Sequence, residues 1–141
     1  MDAELLGRIR ANAALAVSEF GPLSGFDFGL DEKSVAWVEG FLERQRAGGV
    51  PAGRFISVLG SFLGEAIIAA TGGSWAQDGE GNLGVAFANG DMAYPFAKVV
   101  KQLDGGLEGG ESILSFYKLS VDHVATGKLR KTAKGAGSEQ L

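Results

Sequence analysis

The chain has 141 residues, 45% of them hydrophobic and 21% charged, with a net charge of −4; that balance is a globular one, enough for one domain, and not that of a disordered protein. It holds no cysteine and a single histidine, which rules out disulfides, thiolate metal sites, cysteine nucleophiles and any centre needing two imidazoles. Residues 1–126 carry nine basic and sixteen acidic side chains, −7, and residues 127–141 four basic and one acidic, +3; an acidic body repels phosphate, so no nucleic acid is expected on the folded part.

Apolar residues at Leu5, Leu6, Ile9, Ala13, Ala16, Val17 and Phe20 recur at three- and four-residue spacing. They predict an amphipathic first helix with Glu4, Arg8 and Asn12 off its apolar face, stopped by Gly21-Pro22. In the loop that follows, Phe26 and Phe28 are expected to fold down onto the core. Asp31 reads as the N-cap of a second helix, with Glu32 in its first turn. Val35, Val38, Phe41 and Leu42 form its inner stripe, Trp37 borders it, and Glu39, Glu43, Arg44 and Arg46 are expected in solvent. Gly48-Gly49 end that helix. Pro51 is placed to open a third over about 52–71, apolar nearly all round and therefore central; Gly72-Gly73 close it.

The period then changes from helix to strand. Ser74–Asp78, Leu83–Asn89 and Met92–Phe96 are extended segments, Asn89-Gly90 is the strongest hairpin signal, and Pro95 puts the third strand at an edge or a strand end. A short helix over about Ala97–Leu103 stops at Gly105-Gly106, and a last one runs from about Glu111 to Ala125. The expected fold is α+β, a small three-stranded antiparallel meander packed by about five helices. Residues 1–126 form the single predicted domain, and 127–141 a flexible basic C-terminal tail. The opening MDAELLGRIR lacks the order of an export signal. The most apolar stretch, Phe55–Ala70, falls short of the ~20 residues a spanning helix needs and contains Glu65. A cytoplasmic protein without membrane association is therefore expected.

Few residues carry candidate chemistry. On the third helix Arg54, Ser61 and Glu65 fall at spacings of seven and four, on one face of an otherwise apolar segment. A carboxylate there either finds a partner, for which Lys98 or Lys101 is suited, or forms the floor of a pocket together with Lys98 or Tyr94. Lys98 and Lys101 sit three apart on one helical face, placed for an anion or an acidic partner, with a solvated face as the plainer reading. Trp37 and Trp75 read as core, although a tryptophan at a strand rim also anchors partners. His123 follows Asp122 on a helix, too divergent in direction for an orienting pair, and is expected at the surface or lining a groove. Gly79-x-Gly81-x-x-Gly84 has the letters of a dinucleotide loop but joins two strands. Asp78-x-Glu80-x-Asn82 spaces oxygens as a calcium loop does but lacks that loop's glycine and its last glutamate; both stretches read as a hairpin turn. No catalytic residue, metal or cofactor is expected.

Gly60 with Gly64-Glu65, Gly72-Gly73-x-Trp75 and Pro95-Phe96-x-Lys98-Val99-x-Lys101 together resemble a bacterial domain-of-unknown-function family. In it a glycine-interrupted helix ends in Gly followed by Trp, and a hairpin leads into a Pro-Phe-x-Lys-Val segment. The resemblance covers about 52–117 and implies no activity; families of this kind suggest an immunity-like role, in which an acidic protein neutralises a toxin. The sequence thus favours a non-enzymatic protein-interaction module with an acidic surface, bound to another protein or to copies of itself. The alternative is a small-molecule-binding protein or enzyme with a pocket around Glu65.

Overall fold

The first helix, α1 (Ala3–Ser24), is started by Asp2, whose carboxylate accepts from the Glu4 amide at 3.1 Å. It runs past the expected stop, because Pro22 lies in the last turn and the left-handed Gly25, at φ 76°, ends it. The computed structural model describes residues 1–49 and 53–126; Pro51, the first predicted position of the third helix and the predicted basic tail lie outside the described residues. Phe28 is buried and Phe26 packs on it with ring centroids 6.0 Å apart, as the loop aromatics were expected to do. Asp31 caps α2 (Glu32–Ala47), accepting from the Ser34 amide at 2.9 Å.

The third helix, α3 (Gly53–Thr71), is the central element. Leu59, Phe62, Leu63, Ala66 and Ile67 are sealed from solvent, and the helix packs against α1, α4 (Pro95–Gly105) and α5 (Ile113–Thr126). Three short strands, β1 (Ser74–Gln77), β2 (Leu83–Ala86) and β3 (Met92–Ala93), form an antiparallel sheet in the order β1-β2-β3, with Trp75 opposite Val85 and Val85 opposite Ala93. The fold is α+β, with five α-helices around a three-stranded meander among the described residues. Its strands are shorter than predicted. Pro95 opens α4 at its first turn, where a missing amide proton costs nothing. A single 3-10 turn, Leu107–Gly109, joins α4 to α5.

Glu39 and Glu43 correct the sequence reading, which left them in solvent. Glu39 accepts from the Ser112 hydroxyl and, at 3.3 Å, from the Leu114 amide. Glu43 accepts from Gln102 Nε2 at 3.0 Å and from the Leu107 amide, while the buried Gln102 takes the Ile113 amide at 2.7 Å. The open amides at the start of α5 need acceptors, and carboxylates suit that positive end. Glu39 reaches them from a helix more than seventy residues earlier, a pairing no local pattern encodes, while Gln102 reaches the Ile113 amide from α4.

Candidate ligand-binding site

The site begins with two glycines on α3. A Cβ at Gly60 would overlap the Phe96 ring, and one at Gly64 would overlap the Trp75 indole and press on Pro95. Leaving both positions bare lets β1 and the start of α4 lie directly on the helix, where Trp75 and Phe96 pack with centroids 5.6 Å apart. Glu65 completes this contact, since its Oε2 accepts from Trp75 Nε1 at 2.6 Å. Gly60, Gly64, Glu65, Trp75, Pro95 and Phe96 therefore form one packing node.

One turn before that node, α1, α3, the β1–β2 hairpin and the start of α4 enclose a hollow of about 900 Å³. Leu5, Ile9, Leu83 and Phe96 supply its apolar wall, and Ser57 and Ser61 face it from successive turns of α3. Asn12 and Arg8 border it from α1, and Asp78, Asn82 and Tyr94 form its polar end. The volume is that of sites for small organic ligands, which likewise combine apolar walls with a few fixed polar groups.

Asp78 organises the polar end. Its Oδ1 accepts from the Glu80 and Asn82 amides, each at 2.9 Å, and its Oδ2 from the Tyr94 hydroxyl at 2.8 Å and Asn82 Nδ2 at 3.3 Å. The Asn82 amide first, then the Tyr94 hydroxyl, hold the carboxyl below its ordinary value of 3.8. Burial, followed by its bond to Asp78, pushes the Tyr94 hydroxyl above 10.0. Ionised Asp78 thus adds stability above pH 3.8 that fades as pH falls through its lower folded value. Neutral Tyr94 adds stability below pH 10.0 that fades as pH rises through its higher one. Burial also raises Tyr117, the chain's other tyrosine. Spectrophotometric titration is expected to show both tyrosines ionising above pH 10.0 in the folded protein and near it in denaturant. A tyrosine ionising at or below that value while the protein is folded contradicts this geometry.

Of the residues singled out from the sequence, Ser61 and Tyr94 line the hollow. Glu65 does not line it, which corrects the idea of a pocket built around that carboxylate; Trp75 has claimed it. Neither lysine pairs with Glu65. Lys98 pairs with Glu111 at 2.7 Å, holding the Glu111 carboxyl below its ordinary range. Lys98 and the exposed Lys101 border a second hollow of about 420 Å³ that shares Tyr94 and Ala97 with the first. Trp75 is buried, and the side chain of Arg54 lies outside the described residues. Arg8, Asn12, Ser57 and Asp78 were missed. The signal for two of them was present, because Leu5, Arg8, Ile9 and Asn12 make one helical stripe and its polar members belong to the cavity wall.

His123 is the clearest correction, since it is fully buried instead of lining a surface or groove. It packs against Phe87, and its Nε2 lies 3.2 Å from Asn89 Nδ2 and 2.9 Å from Asp91 Oδ2. The second is an ion-pair distance without hydrogen-bond alignment, and Nδ1 has no partner. Asn89 Oδ1 accepts the Asp91 amide at 2.8 Å, which fixes the orientation of the Asn89 side chain. The group ties the β2–β3 hairpin to α5. No His, Asp or Glu cluster among the described residues has the makings of a metal site, and no described helix is long and apolar enough to cross a membrane.

No protein-family model, curated protein or solved structure matches the chain.

Proposed function

We propose that the protein is a small-molecule-binding domain whose ligand sits in the hollow between α1 and α3. The observation that carries this reading is the hollow itself, about 900 Å³ with a wall of Leu5, Ile9, Leu83 and Phe96 and hydrogen-bonding groups at one end. A thermal-shift screen of small metabolites tests it. Hits are expected to raise the melting temperature of the wild type and to lose that effect in Ala97→Trp, which adds an indole at a position lining the hollow. Hits that act equally on both proteins count against the cavity.

One observation favours a second reading, engagement of a basic protein partner in an immunity-like manner. Residues 1–126 carry −7, and Glu19, Asp27, Asp31 and Glu32 are all exposed. Affinity capture of the tagged protein from its host tests this. A stoichiometric basic partner whose retention falls steeply with salt supports it, and recovery of the protein alone counts against it.

A further inference from the structure

Ser61 is the feature of the hollow that the fold does not use. It is 1% exposed, it lines the hollow, and its Oγ meets no partner. Three other helix hydroxyls among the described residues have partners. Thr71 donates to the Ile67 carbonyl at 2.7 Å, Ser120 donates to the Phe116 carbonyl at 2.9 Å, and Ser34 accepts the Gly29 amide at 2.9 Å. Ser61 has the same route back to the preceding turn and does not take it. A buried hydroxyl without a partner is destabilising, so natural folds seldom keep one unless something outside the chain completes it.

The charges around the hollow narrow what that something is. Asp78 accepts four hydrogen bonds from Glu80, Asn82 and Tyr94, which occupy its lone pairs and leave none for a ligand's ammonium group. The same carboxylate repels an anion. Arg8, the opposing charge, has a side chain 62% exposed and turned toward Glu4 at 3.1 Å, so it offers an anion only a hydrated, already paired guanidinium. What remains is uncharged: the hydroxyls of Ser57 and Ser61, the Asn12 amide and the free lone pair of the Tyr94 oxygen. Building on the ligand-binding reading above, we infer that the hollow takes an uncharged amphipathic molecule. Its apolar body lies on Leu5, Ile9, Leu83 and Phe96, and its hydroxyl or carboxamide group bonds Ser61.

Three probes sharing one ring separate the possibilities: benzyl alcohol, benzylammonium and benzoate, each titrated into the full chain and followed by amide chemical shifts. Benzyl alcohol is expected to move the resonances of Ser61, Leu83 and Phe96 saturably and to bind several-fold more tightly than either ion. In Ser61→Ala its affinity is expected to fall several-fold. The melting temperature of the unliganded variant is expected to rise, because the orphan hydroxyl is gone. Tighter binding of either ion at these resonances overturns the uncharged class and leaves the ligand-binding reading standing. Equal affinity of Ser61→Ala for the alcohol overturns Ser61 as the anchor. If none of the three moves a cavity resonance, the ligand-binding reading itself fails.

Discussion

Gly64→Ala is expected to lower stability by roughly 2–3 kcal/mol, the upper part of the range for overpacking a close-packed contact. That corresponds to a fall in melting temperature on the order of 10 °C at this chain length. The sign is the informative part. Replacing glycine by alanine inside a helix ordinarily stabilises it by about 0.5–1 kcal/mol, through lower backbone entropy in the unfolded chain. Gly7 in α1 is exposed, with nothing near its missing Cβ, and Gly7→Ala is expected to show that ordinary gain. At Gly64 the new methyl meets the Trp75 indole, which cannot turn aside because Glu65 holds its Nε1 at 2.6 Å and Phe96 packs beside it. Denaturant unfolding of the two variants is the measurement. Stabilisation by both means that β1 and α4 do not rest on the glycine face of α3, and the hollow one turn away loses its wall.

His123→Leu is expected to cost roughly 2–3 kcal/mol, although leucine is apolar and of similar bulk. The loss comes from removing the ring that stands 2.9 Å from Asp91 Oδ2, which is sealed from water and has no other partner, and it outweighs the gain from deleting the unpartnered Nδ1. Asp91→Asn in that background is expected to recover part of the loss, because a neutral amide is less costly to leave unpaired than a carboxylate. The check is a double-mutant cycle by denaturant unfolding. An unchanged stability for His123→Leu, or strict additivity with Asp91→Asn, means that the hairpin is not tied to α5 through this group.

Those two positions also mark where the sequence was legible. The helix caps, the glycine stops and the change of period after Gly73 are local signals, and Asp31, Gly72 and the β1–β2 turn lie where they were read. Central burial of α3 followed from its apolar circumference. Its glycines permit close approach, but which side chains approach depends on partners eleven and more than thirty residues onward. The long-range polar contacts escaped for the same reason. Glu39 looks like a solvent residue until α5 presents its open amides, Glu43 until α4 and the 3-10 turn bring Gln102 and Leu107 to it, and His123 looks like a helix-surface residue until the β2–β3 turn folds over it. Glu65 was correctly suspected of having a partner, and the lysines were the wrong candidates. A tryptophan Nε1–H is a donor that charge-based pairing overlooks. At the candidate site Ser61 and Tyr94 were legible as polar residues on elements that converge. Asp78 was not, because its turn-forming role masked its bond to Tyr94.

The most direct test is an amide chemical-shift map of the full chain with the tightest compound from the screen. Binding in the hollow predicts saturable shifts confined to residues 5–12, 57–61, 78–83 and 94–97, the segments that enclose it. Shifts confined instead to the exposed acidic positions of α1 and α2, with the cavity resonances unmoved at saturation, would contradict it.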